Sequence, residues 1–242
     1  LKADGSVICW GDNSNGKVDG NPPPDCFGHC VSADLTGPFT QIAVNASTSC
    51  GLRPDQSVAC WGEVDSGVGF GHPGPFEYFD IAGGHGCGLK SNGVVECWGS
   101  DRYGRVSGTV TVDAGVPCHT ESLSGPYKAL SVGWSHNLVI DPLGKITGWG
   151  QNYAGYITGD STHPSHTTAD LLGPYRDVYA FGGCNCAILE AGPTVCWGEC
   201  GKAATDIPLD HFIDLNSRVR TDEYHAVCGL RDDQTVRCWG AN

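Results

Sequence analysis

The sequence predicts an all-β fold, a β-propeller built from four-stranded antiparallel blades. Three observations support this prediction: a recurring Trp-Gly pair, strand and turn patterns around each pair, and a composition suited to short strands. The chain of 242 residues contains 36 glycines and 14 prolines, and 17% of its residues are charged. This composition favours tight turns and many short strands over long helices.

The Trp-Gly pair marks the repeated unit. It occurs six times, at intervals of 37 to 51 residues, and such intervals match the length of a propeller blade. Because each tryptophan stands at one place in its unit, we interpret it as packing between blades, with its indole N–H satisfied locally, and not as a ligand platform. The tryptophans of the repeat are Trp10, Trp61, Trp98, Trp149, Trp197 and Trp239.

Two strands and a turn precede each Trp-Gly pair. The clearest copy, residues 87–99, has Asn-Gly at its centre and predicts a hairpin. Further upstream, a Gly-Pro-aromatic triplet followed by alternating apolar residues, as in 37–44, predicts another strand, and a weaker strand is expected after Trp-Gly. We predict one domain over 1–242, closing with about six or seven blades. Its units lie near 1–36, 37–73, 74–124, 125–172, 173–209 and 210–242.

Eight of the 14 cysteines form pairs ten residues apart. Positions ten apart face each other across a short hairpin at ~4.5–5.5 Å between Cα atoms, within disulfide reach. The Trp149 unit has Leu138 and Gly148 at the two equivalent positions, and pairing explains why both cysteines are absent together. Zinc would need clustered ligands that this spacing does not supply. The predicted disulfides are Cys50 with Cys60, Cys87 with Cys97, Cys186 with Cys196, and Cys228 with Cys238.

The remaining cysteines are less regular. Cys184 and Cys200 flank one hairpin and are expected to form a second disulfide there. Cys9 would need a partner two positions before Leu1, so we expect the polypeptide to begin earlier. The pairing of Cys26, Cys30 and Cys118 stays open, because one thiol is left over that is free, bonded to residues outside this sequence, or bonded to another chain.

The cysteine content favours an oxidising compartment, and we predict a secreted or cell-surface protein. Asn45 begins the one N-glycosylation sequon and falls in a predicted turn. No apolar run is long enough to span a membrane. Acidic residues outnumber basic ones 27 to 14, without a basic cluster, which argues against nucleic-acid binding. Neither a catalytic nor a metal-binding motif is present, so we expect no enzyme activity, metal or cofactor.

Several segments resemble one repeat superfamily. Residues 83–104, 133–155 and 10–16 are similar to the repeat of the regulator-of-chromosome-condensation superfamily, in which Gly-x-x-His leads to Trp-Gly-x-Asn-x-x-Gly. The added cysteine pairs resemble its extracellular branch, such as plant crinkly-type receptor-kinase ectodomains. The resemblance implies a propeller of about seven blades and protein recognition outside the cell. It does not imply chromatin binding or nucleotide exchange, which depend on loops and basic tails that this chain lacks.

The long loops are the predicted contact regions, because binding residues concentrate on loops carried by a rigid scaffold. They span about 14–36, 100–124 and 151–172. The alternative interpretation is that they are solvated loops that bind no partner. We predict a non-catalytic extracellular module that contacts a protein partner or copies of itself. A carbohydrate-binding propeller is the alternative, and an enzyme with an unrecognised site is a third hypothesis. The candidate contact residues are Phe27, Tyr103, Tyr153 and Tyr156.

Overall fold

The structure is a computed structural model. It describes residues 1–11, 13, 16–19, 30–31, 35, 37–63, 71–107, 119–152, 157, 173–200, 207–208, 210–217 and 226–240. These residues form seventeen strands and one 3-10 turn at Arg102–Gly104. The prediction of an all-β chain is confirmed. The chain divides into two compact units, Leu1–Arg102 with Asp113–Gly125, and Tyr103–Val112 with Pro126–Asn242.

The first unit contains two four-stranded antiparallel sheets. Sheet I has the order β1-β4-β3-β2, and sheet II has the order β5-β6-β7-β8. The strands are β1 (Cys30–Val31), β2 (Gln41–Val44), β3 (Thr48–Leu52), β4 (Val58–Glu63), β5 (Tyr78–Ala82), β6 (His85–Leu89), β7 (Val95–Gly99) and β8 (His119–Leu123).

The second unit contains three antiparallel sheets, each with three strands among the described residues. Sheet III has the order β11-β10-β9, sheet IV β12-β13-β14 and sheet V β15-β16-β17. The strands are β9 (Ala129–Val132), β10 (His136–Ile140), β11 (Ile146–Gly150), β12 (Tyr175–Phe181), β13 (Cys184–Leu189), β14 (Thr194–Gly198), β15 (Phe212–Ser217), β16 (Ala226–Arg231) and β17 (Val236–Gly240).

The fourth strand comes from the end of the unit in sheet II and from before the other three strands in sheet I. In sheet II, β8 follows β7 and pairs with it, His119 opposite Gly99. In sheet I, β1 precedes β2 and pairs with β4, Val31 opposite Gly62. The predicted boundary near residue 36 therefore does not separate sheets, because a strand from 1–36 completes the sheet of 37–73.

An aromatic ring packed on a glycine explains the Cys-Gly-Leu sequence of the middle strands. In sheet II a Cβ on Gly88 would collide with the ring of Phe76, which is fully buried. That ring also stacks on Trp98 with centroids 5.5 Å apart. Sheets I and V repeat the arrangement with Phe39 on Gly51 and with Phe212 on Gly229. Each middle strand thus needs a residue without a side chain where the ring crosses it.

Among the residues that the structure describes there are five disulfides, of which four join the two strands of a hairpin and the fifth joins Cys184 of β13 to Cys200, two residues after β14. Four have cysteines ten residues apart and Cα separations of 3.9–4.0 Å, and the Cys184–Cys200 bond has 4.5 Å. Directly opposed positions of neighbouring antiparallel strands supply such separations. The four ten-residue pairs are Cys50–Cys60, Cys87–Cys97, Cys186–Cys196 and Cys228–Cys238.

Side chains of β2 and β9 connect neighbouring sheets within a unit. Gln41 of β2 donates from Nε2 to the carbonyl of Phe79 in β5 at 2.6 Å and accepts from its N–H at 3.2 Å. In the second unit, the N–H of Ala180 in β12 donates to Ser131 Oγ in β9 at 3.0 Å. Burial and the nearby Asp177 and Asp214 carboxylates raise the pKa of Tyr179. These polar links fix the spacing of adjacent sheets while apolar side chains fill the space between them.

Candidate interaction surface

In each of sheets I to IV, one end carries both the short turn that leads into the middle strand of the hairpin (β3, β6, β10 or β13) and the start of the loop after Trp-Gly. In sheet III, His136 at the start of β10 lies opposite Gly150 at the end of β11. His85 and Gly99 have the same relation in sheet II. We call this end of a sheet its loop end. The long loops predicted to bind a partner therefore leave from the loop ends of their sheets.

The loop after one Trp-Gly pair reaches the tryptophan of the next unit. The carbonyl of Arg105, seven residues after Trp98, accepts the indole N–H of Trp149 at 3.0 Å and Asn137 Nδ2 at 2.6 Å. The carbonyl of Lys17, seven residues after Trp10, accepts the indole N–H of Trp61 at 3.0 Å. The prediction of a local partner for these indoles is wrong, because the acceptor lies 44 residues upstream.

A polar side chain three residues after the tryptophan holds the start of the loop. Asn152 Oδ1 accepts the N–H of Ile157 at 2.7 Å, and Asn13 Oδ1 accepts the N–H of Val18 at 2.9 Å. Ile157 is buried in the core of sheets III and IV. The loop therefore starts from a fixed position eight residues after its tryptophan.

Trp134 is an exposed aromatic residue at the loop end of sheet III. Its side chain is 59% exposed at the tip of a three-residue turn between β9 and β10. The backbone on both sides of it is fixed, because Gly133 N donates to the carbonyl of His136 and Gln151 N donates to that of Ser135, both at 2.8 Å. Buried Arg105 donates from its guanidinium to the Trp134 carbonyl at 3.0 Å. The indole thus stands on a backbone with little freedom to move.

Beneath this turn lies a fully buried histidine that joins two sheets. His136 Nε2 is 2.7 Å from Asn185 Oδ1 of sheet IV. Burial lowers the pKa of His136 to about 4, so the ring is neutral at physiological pH. A Cβ on Gly133 would come within 2.6 Å of the imidazole, so the turn needs glycine there. The same contacts that seat the histidine shape the base of the Trp134 turn.

The structure describes one of the four predicted contact residues. Tyr103 lies two residues before Arg105 in the 3-10 turn and adopts φ 67°, a left-handed conformation that few residues other than glycine adopt. It is half-buried. Phe27, Tyr153 and Tyr156 lie outside the described residues. Backbone strain of this kind clusters at binding sites, so Tyr103 stays a candidate contact residue.

The repeat tryptophans differ in burial. Trp61, Trp98, Trp149 and Trp239 are buried, Trp197 is half-buried, and Trp10 is 84% exposed. Trp98 lies in a buried cluster with residues of sheets I and II, and Trp239 lies in one with residues of sheets IV and V. The indole is therefore packed between neighbouring sheets in these units, whereas Trp10 is not packed in this way.

Asn45 lies at the loop end of sheet I, in the turn between β2 and β3. Its Oδ1 accepts the N–H groups of Ser47 at 3.0 Å and Thr48 at 2.8 Å. The side chain is half-buried. The predicted position of the sequon in a turn between strands agrees with this geometry.

Trp134 is the residue that the sequence analysis failed to select. The signal was present, since the chain has seven tryptophans and six of them belong to Trp-Gly pairs. A tryptophan outside the repeat has no place in the repeated packing. Its anchor Arg105 gives no such signal, because nothing in the sequence shows which loop reaches which turn.

Neither a metal cluster nor a spanning helix occurs among the residues that the structure describes. Within them, no three His, Cys, Asp or Glu side chains are grouped so as to hold a metal ion. No helix in the same residues is long and apolar enough to cross a membrane.

Comparisons with known proteins define the fold. No protein-family model and no curated protein matches the chain. The crinkly ectodomain of the Arabidopsis thaliana receptor kinase ACR4 is similar, with a TM-score of 0.64 and 20% identity over 98% of this chain and 77% of that one. The ectodomain of the Physcomitrella patens receptor kinase CR4 gives 0.58 and 24% over 84% of this chain. This chain spans 53% of the CR4 ectodomain, about half its length.

A third solved structure shares the fold at lower identity. Yeast RCC1, solved bound to Kap60, superposes with a TM-score of 0.65 and 15% identity, over 98% of this chain and 64% of that one. These similarities show that the chain has an RCC1-like, propeller-type fold. The predicted resemblance is confirmed at this level, and placement in the extracellular cysteine-rich branch belongs to the proposal that follows.

Proposed function

We propose that this chain is a non-catalytic extracellular recognition module, which binds a protein partner through the loop end of its sheets, with Trp134 as the central contact. Its sheets are the blades of a propeller, each with four strands, and about six or seven blades close the ring. Asn45 carries an N-linked glycan. The receptor ectodomains with a similar fold and the five disulfides support the extracellular location.

The proposal depends on one observation: the Trp134 side chain is exposed although hydrogen bonds fix the backbone of its turn. Tryptophan is enriched among residues that dominate the binding energy of protein interfaces. Ordering a mobile loop on binding costs affinity, whereas a fixed turn avoids most of that cost. At Trp134 two backbone hydrogen bonds and one from the Arg105 guanidinium hold the turn, while more than half of the residue's surface is exposed to solvent.

Leu143 provides a matched control for the test. It is 85% exposed in the turn between β10 and β11, at the opposite end of the same sheet. The experiment compares Trp134→Ala, Leu143→Ala and the parent chain as baits for chemical cross-linking on intact cells of the source organism. Cross-linked proteins are quantified by mass spectrometry, and the affinity of each one found is then measured with purified components.

The proposal expects one or more proteins that the parent and Leu143→Ala retain equally and that Trp134→Ala loses. A buried interface tryptophan contributes about 2 kcal/mol or more, so the affinity should fall about thirtyfold. Equal binding by all three baits would overturn the role of Trp134. Loss of binding only in Leu143→Ala would place the interface at the other end of the sheet.

The same variants also test whether the protein partner is a second copy of this chain. If the partner is a second copy, sedimentation velocity should show an oligomer in the parent and in Leu143→Ala, and a monomer in Trp134→Ala. A carbohydrate-binding propeller would repeat an exposed aromatic residue in each blade, and the described loop ends do not. An exposed tryptophan occurs at this turn in sheet III, whereas Ala46, Gly83 and Gly182 occupy the equivalent place in sheets I, II and IV.

A further inference from the structure

The turn between β6 and β7 of sheet II contains an Asn-Gly pair, Asn92 and Gly93. In an unfolded chain this pair is prone to deamidation, because a following residue without a side chain lets its backbone nitrogen approach the side-chain amide of the asparagine. Asn92 is exposed, so water and base reach its amide. The turn thus combines a reactive sequence with an accessible side chain.

The closed turn keeps the two reacting groups apart. Gly93 is buried with φ 77°, and its N–H donates to the carbonyl of Lys90 at 2.9 Å. Asn92 Oδ1 accepts the N–H of Val94 at 3.1 Å. A backbone nitrogen in such a hydrogen bond does not readily give up its proton, and the bond to Val94 holds the amide in place. The reaction therefore requires the turn to open.

Lys90 and one disulfide oppose that opening. The N–H of Lys90 donates to the carbonyl of Val94 at 2.9 Å, which closes the turn from the other side. The ammonium of Lys90 forms an ion pair with Glu96 and lies 5.9 Å from the centre of the Phe76 ring. The Cys87–Cys97 bond closes the loop that contains the turn. Opening of this hairpin is therefore a local event that the disulfide restrains.

The same turn in other sheets shows that aspartate fits the position of Asn92. Three equivalent residues are aspartates, and each accepts the N–H of the residue two positions later at 2.9–3.0 Å. Each also has a lysine or arginine two positions before it, as Asn92 has Lys90. Hydrogen bonds and this neighbouring positive charge lower the pKa of all three carboxyl groups. The three residues are Asp4, Asp55 and Asp233.

We propose that Asn92 is a site of spontaneous deamidation, that local opening of the β6–β7 turn sets its rate, and that the aspartate product is retained in the folded sheet. The Gly93 nitrogen loses its proton to a base and bonds to Cγ of Asn92, while the bond from Cγ to the amide nitrogen breaks and ammonia leaves after taking up a proton. Water then opens the succinimide ring at one of its two carbonyls, which gives aspartate or isoaspartate. Each conversion adds one negative charge beside Lys90.

Two disulfide variants separate local opening from unfolding of the whole chain. Cys87→Ala with Cys97→Ala removes the bond around this turn, and Cys228→Ala with Cys238→Ala removes a bond of the same spacing in sheet V. Both variants and the parent are incubated folded at mildly alkaline pH, and the parent is also incubated unfolded in urea with reductant. Peptide mass spectrometry measures the conversion of Asn92, and near-ultraviolet circular dichroism checks that each folded sample is folded.

The second Asn-Gly pair of the chain, Asn15 and Gly16, reports in the same digest that the unfolded sample reacts. Asn92 in the folded parent should convert more slowly than in the unfolded parent. The variant without Cys87–Cys97 should convert at least about tenfold faster than the folded parent, and the sheet V variant should match the parent. The parent in urea below its unfolding transition should also convert faster, which tests opening without a mutation.

Equal rates at Asn92 in the folded and unfolded parent would overturn the role of the turn, as would equal acceleration in both disulfide variants. Conversion of Asn15 without conversion of Asn92 in the unfolded chain would overturn the site itself. Asn92→Asp supplies the product directly, and its unfolding midpoint in urea should equal that of the parent. A lower midpoint would overturn retention of the product in the sheet.

Discussion

Sheets III and IV are consecutive in the chain and have the same three-strand order, yet different interactions hold them. Two disulfides hold sheet IV: Cys186–Cys196 joins β13 to β14, and Cys184–Cys200 joins β13 to the chain just after β14. Sheet III contains none, and its equivalent positions in the first pair are Leu138 and Gly148, which lie opposite each other. The same hairpin therefore forms with and without a covalent link.

The difference shows what replaces a disulfide in this fold. Leu138 is fully buried, and a Cβ on Gly148 would come within 2.7 Å of its Cδ2, so the leucine fills the space over the glycine. At the second pair of positions sheet III has His136 and Asn152 where sheet IV has the bonded cysteines. Leucine packing thus takes the place of the first bond in sheet III. At the second pair, His136 bonds to Asn185 of sheet IV and Asn152 bonds to the N–H of Ile157, so these side chains hold the neighbouring sheet and the loop.

The largest expected effect comes from removing the packed leucine. Leu138→Ala should lower the free energy of unfolding by about 4 kcal/mol, because a fully buried leucine leaves a cavity in a sheet that has no disulfide to limit its opening. Urea denaturation measures it, with exposed Leu143→Ala as the control expected to change stability by less than about 0.5 kcal/mol. A loss below about 1 kcal/mol for Leu138→Ala would contradict this view of sheet III.

Acid is expected to destabilise the fold through His136, the histidine between the two sheets. In the unfolded chain the pKa of His136 has its ordinary value of 6.5, and in the fold it is about 4. Below pH 6.5 the unfolded state binds the proton and the folded state does not, so stability falls as the pH drops to about 4 and then levels off. The loss is about 3 kcal/mol for this difference.

The variant His136→Gln isolates this contribution. Burial also lowers the pKa of His72, which acts in the same direction, so the parent and the variant are compared across pH 4 to 7. The difference between their unfolding free energies should change by about 3 kcal/mol over that range. A constant difference would show that His136 does not titrate between the two states.

The smallest effect is expected from a disulfide that another one encloses. Cys186→Ala with Cys196→Ala removes a short loop closure from the unfolded state, but the Cys184–Cys200 bond still restrains the same segment, so the loss should be about 1–2 kcal/mol. Cys228→Ala with Cys238→Ala removes an unenclosed bond of the same spacing and should cost about 3 kcal/mol. Equal losses would show that the enclosing bond does not restrain the unfolded segment.

The sequence predicted the local features that repeat, and it missed contacts between distant residues and a residue that occurs once. The spacing of the cysteines and the Trp-Gly pairs located the strands, because each copy repeats the same local pattern. It did not show that the indole of Trp149 bonds to the carbonyl of Arg105, since that contact joins residues 44 apart in the chain. Trp134 was missed because a single exposed residue leaves no periodic trace.

The short stretch after Trp10 and after Trp98 seats the indole of the following unit. In the Trp98 unit, the Arg105 carbonyl accepts hydrogen bonds from Trp149 and Asn137, both of the following unit. Lys17 supplies the same kind of acceptor to Trp61. The units are therefore linked in series, so that deleting one of them would remove the hydrogen-bond acceptor of the next unit's indole.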